Sequence, residues 1–138
     1  MNAIGRMFIG AHVRLYRATN GKIGSSMMGG HMLLLTTTGS KTGKERTVPV
    51  MYFEHEGKRF VIASNNGAPI HPAWFNNLKA KPEVGVQVRE RKYTAHAEAI
   101  SGDERAKVWK HVVATMPRFG EYEKKAAGRE IPVVQLRE

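Results

Sequence analysis

LLLTTTGSKTGKERTVPV, residues 33–50, is the stretch from which the fold can be read. Two runs of apolar and β-branched residues, Leu33 to Thr38 and Thr47 to Val50, flank a turn containing Gly39 and Gly43. β-Branched side chains suit a pleated, half-buried surface, and glycines let the chain reverse, so the stretch predicts a β-hairpin. Its turn carries Lys41, Lys44 and Arg46 with the hydroxyls of Ser40 and Thr42. Backbone N–H groups exposed in such a turn and ringed by cations make a cradle for phosphate. A nucleotide P-loop is excluded, because it requires a wider glycine spacing, a Ser or Thr after its lysine, and a helix to follow. Here three residues separate Gly39 from Gly43, Glu45 follows Lys44, and a strand comes next.

Working outward from the hairpin, Arg59–Ala63 reads as a third strand joined to Thr47–Glu54 through Glu56-Gly57, and Pro49 marks an edge or a bulge. Residues 64–72 form a loop rich in Asn, Gly and Pro. Pro72 is well suited to open a short helix running to about Lys79. Glu83–Val88 and Tyr93–Ile100 alternate as half-buried strands. Asp103 and Glu104 begin a helix whose Val108, Trp109, Val112, Val113 and Met116 hold one face, so Trp109 is expected in the core. A polar helical segment, Gly120–Gly128, precedes a last strand, Ile131–Leu136. Lys58 and Arg59 read as a solvated hairpin end. The pattern predicts a mainly β, α+β protein: a barrel of about six mostly antiparallel strands with a late helical excursion. Residues 1–31 are assigned to an N-terminal helix and flexible connector, and residues 32–138 to the barrel.

The chain has 138 residues, no cysteine and a formal charge of +10. Disulfides and thiolate metal sites are therefore excluded, and the six histidines are scattered without metal spacing, so no metal is expected. Such a charge admits nucleic acid, an anionic membrane or a polyanionic small molecule as partner. The cations neither interleave with aromatics nor form a helical stripe, so nucleic acid is not expected. Residues 1–17 place Ile4, Phe8, Ile9, Val13 and Leu15 among Arg6, Arg14 and Arg17. This is an amphipathic helix, packed on the body of the domain or lying on an anionic bilayer. Without a span or a secretory signal, the expected location is cytoplasmic, with the inner face of the cell membrane as the peripheral alternative.

A second informative segment, ASNNGAPIHPAWFNNLKAKPEV, occupies residues 63–84. A polar loop that leaves a strand and feeds a helix is a common seat for a planar ligand. Together with LLLTTTGSKTGKERTVPVMYF and the ending REIPVVQL, it closely resembles the deazaflavin-dependent nitroreductase family of actinobacteria, in register from about Met32 to the C-terminus. The resemblance implies a split β-barrel of the flavin-binding type. It also implies an oxidoreductase, a nitroreductase or quinone reductase, that passes hydride from reduced coenzyme F420 to quinones, nitroaromatics or other activated acceptors.

By the same resemblance, Lys41 and Arg46, with Ser40 and Thr42, hold the phosphate and acidic tail of the coenzyme, and Asn77 and Lys79 reach that anionic end. Pro49, Val50 and Met51, with Ala63, Ser64 and Asn65, line the deazaflavin ring, and Trp74 shapes the pocket wall. Tyr52 and Ser64 fall near the hydride acceptor. Some members carry three tyrosines around the acceptor pocket, where this chain has Met116, Phe119 and Tyr122. The two absent hydroxyls bear on bicyclic nitro substrates and leave hydride transfer untouched. A proton must also reach the reduced product, from Tyr122, Ser64 or water. A hydrophobic mouth of N-terminal helix, Trp74 and Phe119 suits flat acceptors. The alternatives are a non-catalytic F420 carrier or storage protein, and FMN or haem binding on the same barrel; FMN is the lesser cofactor candidate. Oligomeric state is not legible.

Overall fold

The computed structural model describes residues 3–27 and 29–138, with side chains from Met7 onward, so the Ile4 and Arg6 side chains of the amphipathic pattern lie outside the described ones. The strands are β1 (Ser26–Met27), β2 (Gly30–Thr38), β3 (Glu45–His55), β4 (Lys58–Ile62), β5 (Glu83–Val88), β6 (Arg91–Ala99) and β7 (Val133–Arg137). The helices are α1 (Ala3–Thr19), α2 (Ala73–Ala80), α3 (Gly102–Thr115) and α4 (Arg118–Lys125). Strands run β1-β2-β3-β4-β7-β6-β5, and β5 returns to β2 through Leu35↔Val86. β2 to β7 thus close an antiparallel six-stranded barrel, as the sequence predicts, with β1 as an added strand. β2 begins earlier than the apolar run because Gly30 and His31 pair with β1.

Strand alternation builds two cores. Leu33, Leu35, Val61, Val84, Val86, Val134 and Leu136 point into the barrel, which α2 stoppers with Phe75 and Leu78. Phe53, Phe60, Ile62 and Val133 point outward and are covered by Val108, Trp109 and Val112 of α3 and Phe119 of α4. Trp109 is core, as its helical spacing predicts. β7 is covered on both faces, so Val133–Leu136 are all buried. Each such Val or Leu contributes about 1.5–3 kcal/mol of transfer free energy.

α1 closes a third, smaller core with Val13 and Tyr16 against Leu34. Its end is a Schellman motif: Asn20 is left-handed at φ 52°, Gly21 N–H donates to Tyr16 O (2.9 Å), and Asn20 N–H to Arg17 O. The fully buried Tyr16 hydroxyl accepts from Arg89 N–H (2.8 Å) and lies 3.1 and 3.2 Å from the Met32 and Gln87 carbonyls. This one phenol fastens α1 to β2 and to the β5–β6 turn.

The barrel is split along β3. β2 covers β3 from Glu45 to Tyr52, while β4 reaches only Tyr52 to His55. β4 is short, and the chain leaves it at Ala63, whose N–H donates to Pro132 O at 3.0 Å. Among the described residues, no strand therefore pairs with the second side of residues 45–51. Pro49, which has no N–H to give a ladder, belongs on such an edge.

Candidate functional site

The β2–β3 turn closes tightly: Gly39 N–H donates to Lys44 O (2.8 Å) and Gly43 N–H to Gly39 O (2.9 Å), with Gly43 left-handed at φ 70°. Asn77 of α2 buttresses it from below. Its Oδ1 accepts from Ser40 N–H and its Nδ2 donates to Thr37 Oγ1, both at 3.1 Å. The side chain of Asn77 is thus committed to holding the turn, and it is buried. Around it Lys41, Thr42, Lys44, Arg46 and Lys79 are exposed. Lys41, Lys44, Arg46 and Lys79 have no ion-pair partner among the described residues, although Lys79 lies 5.7 Å from the Phe75 ring. By contrast Lys58, Arg59, Arg91, Arg105 and Arg137 are each paired to a glutamate.

Across the split from the free edge of β3 runs the segment Ala63–His71. Asn65, Asn66 and Gly67 are all left-handed, at φ 49°, 55° and 79°. Asn and Gly are the residues that tolerate this conformation, which accounts for the Asn-Asn-Gly sequence. Arg129 locks the segment from behind. Its Nη1 donates to Ala63 O (3.0 Å) and His71 Nδ1 (2.9 Å), its Nη2 to Ser64 O (2.7 Å) and Ala68 O (2.8 Å), and its Nε to Ala68 O (3.1 Å). Burial, and then the charges of Arg129 and Lys79, push the His71 imidazole below its ordinary pKa and keep it neutral. Ser64 is buried, and its hydroxyl has no hydrogen-bond partner among the described residues.

α4 packs directly on this segment: a Cβ added to Gly67 would stand 3.0 Å from Tyr122 O and from Lys125 Cβ. Met51, Met116, Phe119 and Tyr122 gather there, with the Phe119 ring edge-on to Phe53 (5.5 Å) and Tyr122 (5.3 Å). Phe119 is buried core, while Met51, Met116 and Tyr122 remain half-exposed. Trp74 packs on the barrel-interior cluster, so it and Phe119 belong to different cores rather than to one mouth.

Tyr52 is parted from this group. Being next to Met51 on a strand, it faces the barrel interior, where burial raises its pKa and Arg59 stacks 5.2 Å from its ring. Val50 faces the same interior. Arg59 corrects the expectation of a solvated hairpin end: only Lys58 is exposed. Arg59 turns inward, donates to Tyr93 OH at 2.6 Å and closes the far end of the barrel, because its strand position shares the interior face with Leu136.

Sequence reasoning missed Arg129 and His71. A single arginine 58 to 66 positions from its partners leaves no local pattern; its place in the REIPVVQL ending was the only signal.

The site offers an anion cradle at one end, an open strand edge in the middle, and an apolar patch with a phenol at the other. Such a groove fits a long ligand with an acidic tail and a planar head. Comparison with known proteins shows the family. The family model described as F420H(2)-dependent quinone reductase matches residues 9–138. The F420H(2)-dependent quinone reductase of Mycobacterium tuberculosis H37Rv is 34% identical over 137 residues, covering 96% of this chain and 91% of that protein. A solved F420-H2 dependent reductase is 41% identical, with a TM-score of 0.69 over 77% of this chain and 93% of its own. A second solved relative, a domain-swapped dimer, is 35% identical, with a TM-score of 0.70 over 93% of this chain and 97% of its own.

Proposed function

This chain belongs to the F420H(2)-dependent quinone reductase family, and from that premise we propose how its groove carries hydride from reduced coenzyme F420 to a quinone. It is an oxidoreductase with F420 as its cofactor. The observation that carries the site assignment is the cluster of Lys41, Lys44, Arg46 and Lys79, cations without acid partners beside a turn that Asn77 holds in shape. Unpaired charges at a rigid turn keep their field for an external anion.

In this reading Ser40, Lys41, Thr42, Arg46 and Lys79 bind the phosphate and acidic tail. Asn77 orients the turn rather than touching the ligand. The free edge of β3 at Pro49–Met51 and the segment Ala63–Asn65 flank the ring, with Trp74 at the α2 side. When bound, the coenzyme supplies the hydride; the chain's part is to seat it, exclude water and place the acceptor. Met51, Met116 and Tyr122 present the half-exposed face on which a flat acceptor rests. Tyr122 and Ser64, whose hydroxyls have no hydrogen-bond partner among the described residues, are the groups proposed to deliver the proton. Nitroaromatics are a finer extension of the same acceptor class.

Loss of reduced-F420 absorbance with menadione, and F420 binding that weakens roughly tenfold in Lys41→Ala without loss of folding, are the expected results. Binding of FMN with none of F420 overturns the reading. Tight F420 binding without turnover across quinones and nitroaromatics leaves a carrier.

No helix among the described residues is long and apolar enough to cross a membrane. Met7 and Phe8 on α1 are 71% and 72% exposed, near the exposed Arg14 and Arg17. That pattern suits peripheral contact with anionic lipid, which co-sedimentation with anionic and neutral vesicles tests.

A further inference from the structure

A guanidinium has five N–H donors and no acceptor. In Arg129 all three nitrogens are engaged, by the carbonyls of Ala63, Ser64 and Ala68 and by His71 Nδ1. None of these partners is an acid, and Arg129 forms no ion pair among the described residues. Its charge is spent on gathering three carbonyls of one segment, which converge only if the chain curls through the left-handed Asn65–Gly67 turn. Lysine has the same charge but a single nitrogen, and cannot span that set.

The bond to His71 has a second consequence. Because Arg129 can only donate, His71 Nδ1 must accept, and the ring proton sits on Nε2. That Nε2–H has no partner among the described residues, and the ring is half-exposed. His71 lies against Phe75 (4.8 Å between rings), and Phe75 in turn lies under Lys79. His71, just before α2, and Phe75 and Lys79 on it therefore make one row, leading from the Ala63–Asn65 segment toward the cationic turn.

We propose that Arg129 is a positioning residue of the coenzyme groove: it sets the curl of Ala63–His71 and fixes His71 as an Nε2–H donor to an acceptor oxygen of the bound coenzyme. The inference rests on the F420 reading of the groove. Neutral imidazole in one tautomer gives a donor of fixed direction, which a freely titrating histidine does not.

The test uses the full chain labelled with 15N-histidine. Long-range 1H–15N correlation of the wild type is expected to show His71 neutral, protonated at Nε2 and bare at Nδ1. In Arg129→Lys the tautomers are expected to mix and F420 affinity to fall roughly tenfold or more. Should that variant fail to fold, His71→Phe keeps the ring stacked on Phe75 without its N–H. It is expected to fold, with a melting temperature lowered by the lost Arg129 bond, yet lose affinity, with partial recovery in His71→Gln. Unmoved tautomer and affinity in Arg129→Lys, or unmoved affinity in His71→Phe, overturn the inference. A wild type that does not bind F420 overturns the coenzyme reading instead, and the tautomer readout still reports whether Arg129 controls His71.

Discussion

Asn77 and Ser40, 37 positions apart, are joined by a hydrogen bond from the Ser40 N–H to Asn77 Oδ1 at 3.1 Å, and through it α2 dictates the shape of the cationic turn. The other end of the same amide holds Thr37 Oγ1. Removing it in Asn77→Ala strands a buried hydroxyl and a turn N–H, and about 1–3 kcal/mol of stability is expected to go with them. Asn77→Asp separates fold from binding. Its carboxylate still accepts from Ser40, and the Thr37 hydroxyl can turn to donate, so the melting temperature should fall less than in the alanine variant. A negative charge then sits beneath the anion cradle, and F420 affinity should fall more than in the alanine variant. Thermal melts and fluorescence titrations of the two variants check the crossing order.

Gly67 couples the coenzyme segment to the acceptor patch. Its φ of 79° disfavours any Cβ, and that Cβ would meet Tyr122 O and Lys125 Cβ at 3.0 Å. Gly67→Ala is expected to cost about 1–3 kcal/mol in backbone strain and to lift α4 from the segment. Tyr122 and Met116 then shift while the Gly39–Arg46 turn stays. Steady-state kinetics should show menadione KM rising by a larger factor than the coenzyme dissociation constant, which strain in the Asn65–Gly67 turn also raises; a larger loss in the dissociation constant would contradict the division of the groove.

The barrel was legible in the sequence because its causes are local. Val84, Val86, Ala95 and Ala97 alternate, Gly39 and Gly43 bracket a turn, and Val108, Trp109 and Val112 share one helical face. What escaped is held by long-range bonds. Arg59 follows a Lys at a hairpin and looks solvated until closure brings Tyr93 to it. Tyr52 and Met51 are neighbours in sequence, and the pleat sends them to different cores. Asn77 reads as a ligand contact because a polar side chain in a loop-fed helix carries no sign of which partner it will meet. Arg129 leaves no local pattern, since its partners are three backbone carbonyls and a ring nitrogen 58 to 66 positions away.

Tyr16 has a testable part in α1 docking. Its hydroxyl takes the Arg89 N–H and reaches two carbonyls in a buried position, so Tyr16→Phe leaves that N–H unsatisfied. A loss of about 1–3 kcal/mol is expected, with amides of α1 and of residues 88–91 exchanging faster than those of the barrel interior. Uniform loss of protection across the molecule would show instead that α1 unfolds only with the barrel.

The His71 imidazole gives the molecule a pH dependence whose sign is fixed by its surroundings. Burial and Arg129 hold its pKa in the folded chain below the ordinary value of 6.5, so the unfolded chain takes up a proton first as pH falls. Stability rises with pH wherever the unfolded state binds more protons. The His71 contribution is therefore fully present above the ordinary imidazole pKa and is lost as pH falls from there toward the folded-state value. Urea unfolding midpoints should decline on acidification through this window, and the decline should be shallower in His71→Gln, which has nothing to protonate. Arg129→Lys keeps a positive charge beside a ring whose shift comes first from burial, so its slope should shrink less than in His71→Gln. A wild-type slope in His71→Gln would assign the acid sensitivity to some other group.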